Sequence, residues 1–148
     1  MQPDFSRDAR IAPILTRIAQ LPKKPRLLVT IDGPCGSGKS TLADALSDAL
    51  NAPIIRMDDF FLPDAPITIL EGSYSMLPDI RRHADLTLFL RINPEVQQKR
   101  LLQRVGAERL KDFNARWIPL ENAYFDAYHL PDESCVLVPQ DVNAPVRP

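Results

Sequence analysis

The sequence predicts an α/β fold in which a five-stranded parallel sheet is covered by helices on both faces, making three layers. The predicted strands are apolar throughout instead of alternating, which is typical of strands buried on both sides. They also alternate along the chain with segments of helical periodicity, as in sheets built from strand–helix–strand units. The 148 residues, 45% hydrophobic and 25% charged, suffice for one such domain.

Five short apolar runs are the predicted strands. They cover residues 26–31, 53–57, 67–70, 85–90 and 135–138. Short apolar runs bounded by turn residues are typical of fully buried strands. Because ligands of open α/β sheets bind beyond the carboxyl ends of the strands, the residues that follow these runs are the first candidates for a functional site.

Helical periodicity accounts for much of the remaining chain. Four segments show it, at residues 1–24, 41–50, 93–105 and 107–130. Asn93 and Pro94 supply an N-cap and a first-turn proline for the third segment, and Gly106 closes it. In the fourth segment Pro119 predicts a kink or a break, because proline has no backbone N–H to donate.

The first strand and the following helix are joined by Gly33-Pro34-Cys35-Gly36-Ser37-Gly38-Lys39-Ser40, which matches the phosphate-binding pattern G-x-x-x-x-G-K-[ST]. Its glycines allow backbone N–H groups to turn inward around phosphate oxygens, and the start of the helix adds a favourable dipole. Lys39 is predicted to reach the β- and γ-phosphates of a nucleotide, and Ser40 to bind Mg²⁺. Strand, loop and helix together indicate a P-loop NTPase fold, with nucleotide binding by residues Gly33 to Thr41.

Carboxylates follow the second and third strands. Asp58 and Asp59 come after one and Glu71 after the other. At the carboxyl end of the sheet, Asp58 is placed to face the γ-phosphate and accept the proton of an attacking hydroxyl. Glu71 is placed near Mg²⁺, either directly or through water. The alternative for these residues is that they are solvated carboxylates at strand ends.

Two arginines share one face of the helix that begins after Asn93. Arg100 and Arg104 lie four residues apart in a region, about 93–110, that we interpret as a lid. Arginines on such a helix can close over phosphates and neutralise charge in the transition state. A solvated basic face is the alternative interpretation.

Composition excludes several classes of function. Lysine and arginine number 18 against 19 aspartate and glutamate, so the net charge of −1 supplies no basic field for nucleic acid. No apolar run approaches a membrane span. The two cysteines, Cys35 and Cys135, indicate no disulfide framework and are interpreted as reduced, which predicts a cytoplasmic protein. The sequence is compatible with a homo-oligomer.

The connection between the second and third strands is short. Only residues 60–66 separate Asp59 from Ile67, and Pro63 and Pro66 stiffen them. Neighbouring parallel strands need a crossover of about a dozen residues or more. We therefore predict that a segment is missing from this sequence near residues 63–66.

Three segments together point to a family: Ile31-Asp32-Gly33 at the phosphate loop, Met57-Asp58-Asp59-Phe60-Phe61-Leu62-Pro63, and Leu70-Glu71-Gly72-Ser73-Tyr74. They resemble the uridine kinase family of P-loop kinases, to which pantothenate kinase and phosphoribulokinase are related. The resemblance covers residues 26–138. It implies a sheet order of 2-3-1-4-5 and a lid after the fourth strand. It also implies transfer of the γ-phosphate of ATP, with Mg²⁺, to a primary hydroxyl of a small molecule.

Residue by residue, the resemblance places Asp58 at the catalytic base, Glu71 at the Walker B-type carboxylate, and Arg100 and Arg104 on the lid helix. Asp59 falls where relatives vary. The family's long acceptor-site segment before the Glu-Gly strand is absent here, so the identity of the acceptor stays open. A nucleoside such as uridine or cytidine is the first expectation. Pantothenate, a sugar phosphate, or a regulatory P-loop ATPase without a metabolite acceptor are the alternatives.

Overall fold

Five parallel strands form a single sheet in the computed structural model, which describes residues 9–57 and 65–139. The strands are β1 (Leu27–Asp32), β2 (Ile54–Arg56), β3 (Ile67–Glu71), β4 (Leu86–Leu90) and β5 (Val136–Val138). Their order across the sheet is β2-β3-β1-β4-β5, and every neighbouring pair is parallel. The predicted fold class and strand order are therefore confirmed.

Helices lie before β1 and in the β1–β2, β3–β4 and β4–β5 connections. They are α1 (Ile11–Gln20), α2 (Lys39–Leu50), α3 (Pro78–Arg81), α4 (Pro94–Asp112) and α5 (Ile118–Ala127). The sequence did not predict α3, because a single turn is too short to show periodicity. Helix α2 begins two residues earlier than predicted. Within the described ranges, no helix has the length and apolar character needed to cross a membrane.

The sequence predicted two interruptions of helix, at Gly106 and at Pro119, and the chain departs from a regular α-helix in both regions. Gly106 has non-helical backbone angles (φ 78°, ψ 168°) and interrupts α4 where Gly106 was predicted to end a helix. A π-helical turn, Phe113–Trp117, connects α4 to α5, and Pro119 lies in the first turn of α5. Pro119 has no backbone N–H, so one hydrogen bond of a regular α-helix cannot form there. The wider π-helical turn before Pro119 keeps the chain helical across this point.

The core has two parts, one on each face of the sheet. On one face α1 and α2 pack against β1, β3 and β4 through buried aliphatic side chains, including Ile31, Leu46 and Leu88. On the other face Phe89 packs against Tyr124 and Phe125 of α5. Leu88 and Phe89 are adjacent on β4 and point to opposite faces, as expected for a strand buried on both sides.

Asp32 fixes the end of β1 where the phosphate loop begins. Its fully buried carboxylate accepts hydrogen bonds from the Gly33 N–H (2.7 Å), the Tyr124 hydroxyl (2.9 Å) and the Met76 N–H (3.3 Å). Burial raises the pKa of Asp32, although these donors and Lys39 act in the opposite direction. The carboxylate therefore ties the start of the loop to α5 and to the chain after β3.

Strands β2 and β3 are parallel neighbours in the sheet, with Arg56 opposite Glu71. Their connection spans residues 57–66, of which 58–64 lie outside the described residues. The predicted missing segment near 63–66 therefore stays a prediction. Asp58 and Asp59, the predicted base and its neighbour, also lie outside the described residues.

Candidate active site

The phosphate loop runs from the end of β1 to the first turn of α2. Gly36 (φ 77°) and Gly38 (φ 94°) adopt left-handed backbone conformations that L side chains rarely adopt, and Gly38 is the N-cap of α2. Left-handed glycines of this kind are typical of loops whose N–H groups bind an anion, which also benefits from the dipole of the following helix.

Lys39 is held inside this loop. Its side chain is buried, and Nζ donates to the carbonyl oxygens of Gly33 (2.7 Å) and Pro34 (3.1 Å). A buried ammonium is costly unless it is hydrogen-bonded, and these carbonyls supply that compensation. The ammonium is thus kept beside the cradle, next to the place a phosphate would take.

Ser40 and Glu71 meet at the carboxyl end of the sheet. The Ser40 Oγ donates to Glu71 Oε1 (2.9 Å), while Arg56 donates to Glu71 Oε2 (3.0 Å) and to Asp44 (3.0 Å). Burial alone would lower the pKa of Arg56, but the two carboxylates outweigh it and hold the pKa above its ordinary value. Glu71 is therefore a buried carboxylate with one side toward Ser40 and the other neutralised by Arg56.

These residues fit a nucleotide with Mg²⁺. Ser37 carries a buried hydroxyl that has no hydrogen-bond partner among the described residues, and a phosphate oxygen would satisfy it. Ser40 and Glu71 offer oxygen ligands of the kind Mg²⁺ prefers. In the part of the chain that the structure describes, no group of three or more His, Cys, Asp or Glu could hold a metal.

The two predicted lid arginines both reach the site. Arg100 is buried, and its guanidinium donates to the Gly36 carbonyl (3.2 Å), so it does not belong to a solvated face. Arg104 lies over the ring of Phe113, 5.8 Å from the centroid, and is exposed, as the alternative of a solvated face predicted for it. Both line the same cavity as Lys39. The first half of α4 is thus in contact with the phosphate loop in this structure.

A cavity of about 660 Å³ joins these parts. Its polar end is formed by the phosphate loop with Ser40, Glu71 and Arg100. Larger apolar side chains line it as well: Met57, Tyr74, Leu101, Phe113 and Trp117. Cavities of this size and mixed lining are typical of small-molecule sites.

Sequence reasoning missed Glu121, Ser73 and Arg56. Glu121 of α5 accepts from the Cys35 N–H (2.9 Å) and from the Ser73 hydroxyl (2.8 Å), across 86 and 48 positions in the chain. A signal was present, because Glu121 lies three and four residues before the apolar Tyr124 and Phe125 and so shares their buried face. The partner of that carboxylate could only be found in three dimensions.

Cys35 is predicted to resist alkylation in the folded protein. Burial, followed by the nearby charge of Glu121, raises the pKa of its thiol from 9.0 to about 12. At pH 8 iodoacetamide should leave Cys35 unmodified in buffer and modify it in urea, as read by peptide mass spectrometry. Rapid labelling of folded protein would contradict this. The raised pKa also predicts that Cys35 contributes stability below pH 9 that is lost as pH rises toward 12.

Comparison with known proteins gives short sequence matches and broad structural likeness. No family model matches the chain. A cytidylate kinase of Haloarcula marismortui is 54% identical over 35 residues, which are 24% of this chain and 18% of that protein. The match thus spans less than a fifth of that curated relative.

Solved structures resemble most of the fold. A possible uridine kinase from Bacillus stearothermophilus has a TM-score of 0.69 at 16% identity, over 87% of this chain and 97% of that one. An uncharacterized protein from Eubacterium ventriosum scores 0.55 at 13% identity, covering 80% and 92%. A shikimate kinase from Bacteroides thetaiotaomicron scores 0.50 at 18% identity, covering 80% and 89%. The chain has the fold of P-loop kinases.

Proposed function

We propose that this protein is an ATP-dependent small-molecule kinase that transfers the γ-phosphate of ATP to an alcohol, with a nucleoside as the first candidate acceptor. The observation that carries the proposal is one cavity with two chemically different parts. Its polar end combines the phosphate loop with the hydrogen-bonded pair Ser40 and Glu71. The same cavity is also lined by the aromatic side chains of Tyr74, Phe113 and Trp117. A protein that only bound a phosphate would not need the second part.

The proposed chemistry depends on positioning and charge. Ser40 and Glu71 would hold Mg²⁺, which when bound neutralises charge on the β- and γ-phosphates. Lys39 would exchange the loop carbonyls for phosphate oxygens, and Arg100 and Arg104 would add positive charge from α4. In phosphoryl transfer the protein contributes mainly alignment and electrostatic stabilisation, and these side chains are of the required kind.

Asp58 is the proposed base for the acceptor hydroxyl. It follows Met57, which lines the cavity, so the chain reaches the site immediately before Asp58. A carboxylate there would orient the hydroxyl and take its proton as the phosphoryl group is transferred. The role of Asp59 is left to mutagenesis.

A nucleoside is favoured by the aromatic lining. Tyr74, Phe113 and Trp117 line the cavity, and Trp117 is 45% exposed, with the Arg116 guanidinium over its ring at 4.9 Å from the centroid. Planar bases stack on aromatic rings, with a gain of about 1–3 kcal/mol per base. The name of one protein of similar fold, a possible uridine kinase, supports this choice. The cytidylate kinase match supports only a pyrimidine compound, since cytidylate is a nucleotide.

Because a shikimate kinase has a similar fold, an alcohol other than a nucleoside is the alternative acceptor. The test is ADP release from MgATP, measured alone and then with uridine, cytidine, pantothenate and ribulose 5-phosphate. We expect uridine or cytidine to raise the rate several-fold above the basal rate. A Lys39→Ala protein prepared in the same way controls for contaminating kinases. Stimulation by another acceptor would replace the nucleoside, and a rate unchanged by every acceptor would favour a regulatory ATPase.

A further inference from the structure

Two helices that follow β4 hold one residue of the phosphate loop from both sides. Glu121 of α5 accepts from the Cys35 N–H (2.9 Å), and Gln97 of α4 donates to the Cys35 carbonyl (2.9 Å). Arg100 donates to the next carbonyl, that of Gly36 (3.2 Å). Three backbone groups of the adjacent residues Cys35 and Gly36 are therefore bound by side chains that come from more than 60 residues away in the chain.

Among the amide and charged side chains of α4 and α5, these three are the buried ones. Gln97, Arg100 and Glu121 are each less than 10% exposed. Burying such groups costs free energy even when they are hydrogen-bonded, and apolar residues of similar size often hold helices together at least as well. Fold stability alone therefore does not account for three polar side chains that all contact the same two loop residues.

Glu121 joins a third element to this contact. Its second oxygen accepts from the Ser73 hydroxyl (2.8 Å), two residues after Glu71. One carboxylate thus connects the phosphate loop, the chain beyond the proposed magnesium ligand, and α5. A displacement of any of the three would be transmitted to the Cys35 N–H.

We infer that Glu121 and Gln97 are positioning residues, which hold the Cys35 peptide groups and so keep the loop in the shape in which its other N–H groups bind the phosphates of MgATP. This inference rests on the nucleotide-binding part of the proposed function and is independent of the acceptor. Without Glu121 the Cys35 N–H would be buried with no acceptor. The loop would then relax to satisfy that group at the expense of its phosphate-binding shape.

The test is the dissociation constant of MgATP, measured by calorimetry without any acceptor. Glu121→Ala should weaken binding by about tenfold, from the loss of one buried hydrogen bond to a charged group. Glu121→Gln keeps an oxygen for the Cys35 N–H and should stay within about threefold of the wild type. Asp126→Ala, which removes an exposed carboxylate from the same helix, is the matched control.

A double-mutant cycle separates positioning from general support of the fold. Gln97→Met and Glu121→Ala act on the same residue, so the loss in the double variant should be clearly smaller than the product of the single losses. Urea unfolding of each variant shows whether the protein is folded during the binding measurement. Wild-type affinity in Glu121→Ala would overturn the inference, and so would a loss explained by the unfolded fraction. A wild-type protein that fails to bind MgATP would overturn the proposed function as well.

Discussion

Lys39→Ala is expected to lower phosphoryl transfer by about 10²- to 10³-fold at saturating MgATP, the usual cost of removing one group that stabilises transition-state charge. Lys39 is the residue whose ammonium lies inside the loop, on the carbonyl oxygens of Gly33 and Pro34. Because it is already desolvated there, its interaction with a phosphate oxygen would be stronger than that of a lysine exposed to water. The measurement is initial rate against ATP concentration, with the acceptor that the panel selects.

The same substitution also removes the donor for two loop carbonyls, so its effect on structure must be measured separately. Lys111→Ala is a suitable control, since Lys111 is an exposed lysine whose ammonium pairs with the exposed Glu108 on the same helix. It should leave both activity and the unfolding midpoint near those of the wild type. Wild-type turnover by Lys39→Ala would contradict the catalytic account. A loss of activity that matches the unfolded fraction would assign Lys39 a structural role.

The part of the site built by neighbouring residues in the chain was predictable from the sequence. A phosphate loop needs its glycines, its lysine and its serine at fixed spacing, so residues 33–40 could be recognised as such a loop from the sequence alone. Glu71 could be placed because the end of a buried strand is visible as the end of an apolar run. The strand order came from family resemblance, since periodicity locates strands without ordering them.

The rest of the site could not be predicted, because it depends on contacts between distant parts of the chain. Nothing near Glu121 in the sequence indicates that its carboxylate lies against Cys35. The ion pairs of Arg56 could not be predicted either, because its two carboxylate partners lie on α2 and on β3. Arg100 could be assigned to a helix face from its spacing. That Arg100 packs on the Gly36 carbonyl, while Arg104 one turn later is exposed, depends on the tertiary structure.

Glu71→Gln is the second substitution with a large expected effect, a loss of about 10- to 100-fold in turnover, as is usual when a group that supports a metal site is changed. The variant keeps an oxygen that can accept from Ser40 but removes the charge that would attract Mg²⁺. It also replaces the charged carboxylate that accepts a hydrogen bond from Arg56 with a neutral amide. The free Mg²⁺ concentration for half-maximal rate should rise, which titration of Mg²⁺ at fixed ATP would detect.

Asp44→Asn distinguishes a metal effect from an effect on Arg56. Asp44 and Glu71 bind the same guanidinium, each at 3.0 Å, but Glu71 also accepts from Ser40. If Glu71 acts through Mg²⁺, Asp44→Asn should keep the Mg²⁺ dependence of the wild type and lose only a partly exposed ion pair, worth about 1 kcal/mol or less. If both variants shift the Mg²⁺ requirement equally, the effect passes through Arg56. Glu71 would then be a structural partner of that arginine, and the proposed magnesium site would lose its carboxylate.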